Sequence, residues 1–345
     1  MRWAGPAAIT LSAGLAFDAV SLPSPFLFGA LLVGLGVALV STASPPLDVP
    51  DPLFTAAQAL VGVALGAYLK SSSLSALGDD WLPVALVSAG TLAVSLAAGL
   101  AMARVTELDR ATAAMGMVAG GASGIVTMAR DLGGDDRLVA FMQYLRVLVV
   151  VLLTPILVAI AFPSHDAGGA TSAVSGLPVI GDARDWLTTF ALALAGAAAG
   201  RLVRLPAGAL LGPMILAGAV TLSAPDGWFV VPAAIQDACF AVIGLQVGLR
   251  FTVQTVRQTG RLLVPVLLSV LVLLLACFGL AILLDATTSV TLLDAYLATT
   301  PGGLYAVLAA AVGAGADTTF IVAVQGLRVV VMVLLAPIAV RRLIA

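Results

Sequence analysis

Long runs of apolar residues, separated by short polar stretches, dominate the pattern along this chain. Runs of about 20 apolar residues predict helices that cross a lipid bilayer. They lack the alternation of barrel strands, and open sheets cannot span a membrane, so the pattern favours helices. Twelve segments are predicted, at residues 3–19, 22–40, 52–69, 82–103, 111–129, 138–162, 186–202, 207–222, 229–249, 262–284, 292–312 and 319–340.

The second half of the chain repeats the first. With a shift of 182 residues, 14 of the 36 positions from 120 to 155 are identical without a gap. The matched pairs include Gly120 with Gly302, Gln143 with Gln325, and Arg146 with Arg328. Such self-similarity is the signature of a duplicated structural unit. The sequence therefore predicts a first membrane repeat over 1–162, a linker over 163–181 and a second membrane repeat over 182–345.

The first apolar run has a second interpretation. Because Arg2 precedes it, the run also fits a cleaved secretory signal. With a shift of 183 residues, Trp3 matches Trp186, and this match favours the first helix of a repeat. Cleavage is kept as the alternative.

The strongest motif lies in the second repeat, which reads TTPGGLYAVLAAAVGAGADTTFIVAVQGLRVVVMVLLAPI over residues 299–338. This stretch resembles the duplicated domain of the AbrB family of bacterial membrane proteins, in which a TPGG turn precedes an Asp, a Q-x-x-R motif and a terminal L-A-P. The resemblance covers nearly the whole chain, although Val118 and Ala119 replace Thr-Pro in the first copy. It implies a multi-pass protein of the bacterial cytoplasmic (inner) membrane. Family members are labelled as an ammonia monooxygenase or as regulators of gene expression.

Glycine and proline interrupt the fifth segment of each repeat, at Gly120–Gly121 and at Pro301–Gly302–Gly303. If both segments cross the membrane, six Lys/Arg residues lie inside and eight outside; if both are re-entrant, the division is twelve and two. The positive-inside rule favours the second arrangement. We therefore expect an all-α polytopic membrane protein with two inverted repeats, each having five spans plus a re-entrant or broken helix. Both termini are then cytoplasmic.

Two arginines lie inside apolar runs. Arg146 and Arg328 each follow a glutamine, Gln143 or Gln325, by one helical turn on the same face. Placing an arginine in the membrane costs at least about 2.5 kcal/mol, so each side chain needs an anion, backbone carbonyls or water.

One hypothesis assigns the arginines to a solute. Inverted repeats with broken helices are typical of secondary transporters, whose binding site lies near the midplane. A helix beginning near Ser123 would present free N–H groups to an anion. The alternative is structural: the arginines fasten the broken segments by bonding carbonyls, or pair with Asp135 or Asp317. The candidate substrate-binding residues are Gly120, Gly121, Ser123, Gln143, Arg146, Thr300, Gly302, Gly303, Gln325 and Arg328.

Asp237 is the candidate for ion coupling. It lies in the third apolar segment of the second repeat, where the first repeat has Thr55. A lone carboxylate in the membrane can carry protons or bind Na⁺. The alternative is a position near the outer interface.

Small-xxx-small spacing recurs at the glycine pairs Gly62/Gly66 and Gly244/Gly248. It favours close helix packing over chemistry.

Composition narrows the function classes further. Only 10% of residues are charged, the net charge is −2, and no basic patch suggests nucleic acid as a partner. With two cysteines and one histidine, the usual ligands of soft metals are nearly absent, so no metal, no cofactor and no enzyme activity are expected.

The expected partners are the lipid bilayer and a small solute, with a homo-oligomer left open. The main hypothesis is an ion-driven secondary transporter of a small solute, either anionic or another organic molecule. The alternative is a membrane-embedded regulator acting indirectly on gene expression.

Overall fold

The computed structural model describes residues 4–19, 25–40, 47–69, 78, 80–119, 125–126, 128–129, 132–162, 181–203, 205, 208–224, 228–251, 253–302 and 304–344. Every regular element in these ranges is an α-helix. The helices are α1 (Ala4–Ala19), α2 (Pro25–Val40), α3 (Asp51–Ala67), α4 (Trp81–Val105), α5 (Arg110–Met117), α6 (Asp136–Ala161), α7 (Ala183–Leu202), α8 (Gly208–Ser223), α9 (Ala233–Leu249), α10 (Val253–Thr287), α11 (Leu292–Thr299), α12 (Leu304–Gly313) and α13 (Thr318–Ile344).

In the described ranges, four stretches of helix are long and apolar enough to cross a membrane, namely Trp81–Val105, Asp136–Val158, Thr259–Thr287 and Thr318–Leu343. Five shorter apolar helices accompany them, and the longest have 17 residues. At 1.5 Å per residue these reach about 26 Å, close to the thickness of a bilayer core. The chain is an integral membrane protein with an all-helical structure. The count of ten spans, the inverted orientation and the cytoplasmic termini stay predictions.

The fifth segment of each repeat is broken, as its glycines indicated. Helices α5 and α11 have eight residues each and end at Met117 and Thr299. Eight residues span about 12 Å, too short to cross a bilayer alone. Whether each whole segment crosses or returns stays a prediction.

Two turn glycines lead into the helices that carry the intramembrane arginines. Gly133 and Gly315 have φ values of 79° and 66°, and they precede α6 and α13. Residues with a side chain rarely adopt this backbone conformation. The two positions are related by the 182-residue shift, so the repeat holds for the backbone of this turn as well as for the sequence.

The chain divides into two compact units, and each unit takes helices from both sequence repeats. The first comprises Met1–Ser75, Thr154–Thr252 and Leu308–Thr319. The second comprises Ala76–Leu153, Val253–Val307 and Phe320–Ala345. The first three segments of both repeats thus share one unit, and the fourth, most of the broken fifth and most of the sixth share the other. The repeat boundaries themselves stay a prediction.

In the first unit, helices of one repeat pack closely on helices of the other. Helix α3 packs on α8, and α2 packs on α9. A Cβ atom at Gly62 would collide with the carbonyl oxygen of Leu210, and one at Gly244 with that of Leu27. The predicted role of these glycines in close packing is confirmed.

The second unit holds the short helix α5 in an apolar core. Ala114, Met115 and Val118, at the end of α5, are buried together with Leu92 of α4 and Met332 of α13. This packing fixes the break that follows α5.

Candidate functional site

Both short helices begin with the same pair of residue types in opposite order. The Asp109 carboxylate accepts a hydrogen bond from the backbone N–H of Thr112 at 2.8 Å and another from its hydroxyl. At the equivalent place before α11, the Thr291 hydroxyl donates to the Asp294 carboxylate at 2.6 Å and accepts from the Asp294 N–H. These contacts satisfy N–H groups that a helix start leaves free.

The other end of α5 is closed by Gln143 and Arg146 of helix α6. The amide nitrogen of Gln143 donates to the carbonyl oxygens of Met115 and Val118, both at 2.8 Å, and to that of Gly116 at 3.2 Å. Nη1 of Arg146 donates to the carbonyls of Met117 and Val118 at 3.2 and 3.0 Å. Nη2 of Arg146 donates to Oε1 of Gln143 at 2.8 Å, so the two side chains act together.

The second repeat builds the same arrangement at the end of α11. The Gln325 amide donates to the carbonyls of Leu297 and Thr300 at 2.8 and 3.3 Å. Nη1 of Arg328 donates to the carbonyls of Thr299 and Thr300 at 3.3 and 2.7 Å, and Nη2 donates to Oε1 of Gln325. We call these two arrangements the carbonyl clamps: Gln143 and Arg146 form the first, and Gln325 and Arg328 the second.

The carbonyl clamps explain why Arg146 and Arg328 lie inside apolar helices. The last turn of a helix has carbonyls without partners and carries a partial negative charge of about half an electron. A guanidinium there satisfies the carbonyls and gains from the charge. Arg146 and Arg328 are 4% and 2% exposed, so these partners replace water almost completely. The contacts are those of the structural interpretation, and solute binding by the same side chains stays a prediction.

Each guanidinium nevertheless keeps unused donors. The Nε atoms of Arg146 and Arg328 are buried and have no hydrogen-bond partner among the described residues. A guanidinium has five N–H donors. The three hydrogen bonds described for each leave Nε–H and one N–H of Nη2, and these two nitrogens lie on one edge of the group. That edge matches the two oxygens of a carboxylate.

The two arginines lie in the same unit, close enough for their charges to interact. Cys277 of α10 lies within electrostatic range of both and is 1% exposed. The hydroxyl of Thr299 donates to the carbonyl of Cys277 at 3.2 Å, which ties α10 to the end of α11. In the described part of the chain, no carboxylate is paired with either guanidinium.

Two further predicted residues belong to the second clamp. The Thr300 carbonyl is its central acceptor, and the Thr300 hydroxyl donates to the carbonyl of Tyr296 at 2.7 Å. Gly302 donates its N–H to the Thr300 carbonyl at 2.9 Å and lies against Val150. Gly120, Gly121, Ser123 and Gly303 lie outside the described residues.

Asp237 lies in the first unit, on α9, where its side chain is half-buried. The adjacent Gln236 accepts a hydrogen bond from the Tyr68 hydroxyl at 3.3 Å and donates to the Val231 carbonyl at 3.2 Å. Among the described residues, the charge that acts on Asp237 belongs to a second carboxylate, Asp18. Ion coupling at Asp237 stays a prediction.

Sequence reasoning missed the pairing of an Asp with a Thr at both helix starts and the electrostatic link of Cys277 to the two arginines. The shift of 182 residues places Asp109 on Thr291 and Thr112 on Asp294, so a D-x-x-T and a T-x-x-D pattern coincide. That coincidence was the signal available. Cys277 had none, since an apolar helix with one cysteine is ordinary.

A family model described as "Transition state regulatory protein AbrB" matches residues 7–344. The chain belongs to the AbrB family. The match includes both repeats and both clamps.

Among the described residues, no group of three or more His, Cys, Asp or Glu side chains is placed to hold a metal ion.

Two curated relatives of this AbrB-family chain cover nearly its whole length. It is 35% identical over 337 residues to "Putative regulator AbrB" of Escherichia coli (strain K12), covering 98% of this chain and 95% of the relative. It is 27% identical over 353 residues to "Uncharacterized protein YhjN" of Bacillus subtilis (strain 168), covering 96% and 90%. Neither printed name describes an enzyme.

Proposed function

We propose that this AbrB-family protein is a secondary transporter of a small anionic solute, which binds at the paired arginines of the two clamps. The observation that carries the proposal is the buried Nε atom of Arg146 and of Arg328, which has no hydrogen-bond partner among the described residues. An unpaired buried donor is costly, and more so on a charged group. Two such donors at repeat-related positions indicate a ligand rather than a packing fault.

The architecture supports the same reading. Secondary transporters commonly combine two repeats, broken helices and a site near the membrane midplane, and they change access by moving one bundle against another. Here both arginines and most of both broken segments belong to one compact unit, while the first three helices of each repeat lie in the other. In the proposal the repeats are inverted, as the distribution of Lys and Arg favours.

An ion gradient drives transport in this proposal. Asp237 is the candidate coupling group, since a membrane carboxylate can bind a proton or Na⁺. Asp18, a second carboxylate whose charge acts on Asp237, strengthens the local attraction for a cation.

The test is flux in proteoliposomes. The purified protein is reconstituted, and uptake of radiolabelled carboxylates, sulfate and phosphate is measured under Na⁺ and proton gradients. We expect uptake of at least one anion, reduced about tenfold or more in Arg146→Gln and Arg328→Gln. Arg104→Gln, at an exposed arginine, is the matched control. Uptake that both variants leave at the wild-type level, or no uptake of any anion by a monodisperse protein, overturns the proposal.

A regulator is the second candidate, and the printed names of the family model and of the Escherichia coli relative favour it. Such a protein would act through a partner or through a transported signal. Transcript profiles of a deletion strain carrying wild type, Arg328→Gln or Arg104→Gln separate the two routes. If Arg328→Gln restores the wild-type profile while its flux is lost, regulation does not depend on transport.

A further inference from the structure

The number of unused donors at the clamps specifies the ligand more closely. After three hydrogen bonds each with described residues, Arg146 and Arg328 each keep two N–H groups, one on Nε and one on Nη2. A planar carboxylate accepts from both nitrogens of such an edge, whereas an ammonium or a halide cannot. Two edges therefore call for two carboxylates.

Charge alone does not decide between one carboxylate and two. Each guanidinium faces a helix end with about half a negative charge, so the pair keeps roughly one positive charge. One carboxylate would balance that charge but would fill only one edge. The other edge would keep a buried, unpaired Nε–H, which the protein avoids only if a second acceptor arrives.

Among the described residues, the chain itself offers no acceptor to either Nε atom. Both Nε atoms are buried without a partner, and the described partners of both guanidiniums are carbonyls and the two glutamine oxygens. The guanidiniums are close enough to repel each other. A ligand with an anionic group at each end relieves this repulsion and completes both edges at once.

We infer that the solute is a small dicarboxylate, bound with one carboxylate on the Nε/Nη2 edge of Arg146 and the other on that of Arg328. The inference rests on the proposed transport function and names the substrate class of the same site. The repeat relation of the two arginines makes the two halves of the site chemically alike, which suits a ligand with two like ends.

The first test compares succinate with butyrate, which has the same carbon chain and one carboxylate fewer. Binding to the purified full chain is measured by calorimetry and thermal unfolding, with malonate and glutarate added to vary the span. We expect succinate or its homologues to bind about tenfold or more tightly than butyrate, because the second carboxylate completes the second edge. Arg146→Lys and Arg328→Lys keep the charge but lose the edge, so each should reduce dicarboxylate affinity to about that of butyrate. Arg104→Lys should leave the affinity unchanged.

Cys277 provides an independent readout if the lysine variants do not fold. The chain has two cysteines, so Cys239→Ala leaves Cys277, which lies within electrostatic range of both arginines, as the single thiol. Because this thiol is 1% exposed, its reaction with N-ethylmaleimide reports opening of the site, and the reaction should slow severalfold in succinate and not in an equal concentration of butyrate.

The outcomes separate the two proposals. If butyrate or sulfate binds as tightly as every dicarboxylate and the lysine variants lose that binding, the dicarboxylate inference is wrong and an anion transporter remains. If no anion binds, protects Cys277 or moves in proteoliposomes, both fail together. If a dicarboxylate binds tightly but neither lysine variant weakens it, the site lies elsewhere and the inference is overturned.

Discussion

At the scale of single residues, the carbonyl clamps offset two unfavourable free energies against each other. An arginine in an apolar helix is expensive, and the end of a short buried helix is expensive too, because its carbonyls lack partners. Arg146 and Arg328 remove both costs with the same contacts. The glutamine one turn earlier adds a donor for the carbonyls and an acceptor for the guanidinium.

We therefore expect Arg146→Met to destabilise the protein by about 3 kcal/mol, because the Met117 and Val118 carbonyls lose a charged donor inside the protein. Arg328→Met should behave alike. Thermal unfolding in detergent measures the effect, and Arg104→Met, at an exposed site, should change stability by less than about 0.5 kcal/mol. Equal midpoints for all three variants would contradict the clamp as a source of stability.

The sequence pointed to both arginines and both glutamines through the repeat, but not to their partners. Every residue has a backbone carbonyl, so the amino-acid sequence does not show that those of Met117 and Val118 accept hydrogen bonds from Arg146. The choice between a solute and a carbonyl depends on where an eight-residue helix ends, and boundaries are the least certain feature of a hydropathy pattern.

At the scale of elements, glycines decide how closely two helices approach. Gly62 on α3 faces the Leu210 carbonyl of α8, and its repeat mate Gly244 on α9 faces the Leu27 carbonyl of α2. Inside a bilayer there is no hydrophobic driving force between helices, so close packing of this kind is a main source of helix association. The same type of glycine–carbonyl contact therefore occurs in two helix pairs, α3 with α8 and α9 with α2.

Gly62→Ala and Gly244→Ala should each cost about 1–3 kcal/mol, since a new methyl group meets opposing backbone that cannot turn aside. Gly36→Ala is the matched control, because a Cβ there meets nothing within 4 Å. It should be neutral or slightly stabilising, as alanine is the better helix former. Thermal unfolding of the three variants in one detergent tests this order, and a destabilised Gly36→Ala would contradict it.

Hydropathy located these helices within a few residues, yet it carried no information on their partners. Apolar segments look alike from outside, and the glycine spacing marks a contact face without naming the helix that meets it. Pairing of α3 with α8 rather than with α2 depends on long-range fit, which a single sequence does not display.

At the scale of the whole molecule, the repeats interlace. Each compact unit draws corresponding helices from both halves of the chain. The second helix of each repeat packs on the third helix of the other repeat: α2 packs on α9, and α8 packs on α3. The repeat in sequence therefore becomes a repeat of contacts.

The predicted inversion has a direct test at repeat-equivalent loop positions. Glu107 and Ser289 differ by 182 and are both exposed. In a background with Cys239→Ala and Cys277→Ala, Ser289→Cys should react with a membrane-impermeant maleimide on intact cells, and Glu107→Cys should react only after lysis. Equal labelling from outside would mean that the repeats are parallel.

Interlacing also sets the order in which this protein can mature. When a ribosome has made the first half, it has made half of each unit, and Gly62 still awaits α8. Early helices must wait in the bilayer for partners that are synthesised later, so completion of either unit comes late in translation. Two separately expressed halves, split in the 163–181 linker, should consequently rescue each other, whereas neither half alone should survive quality control.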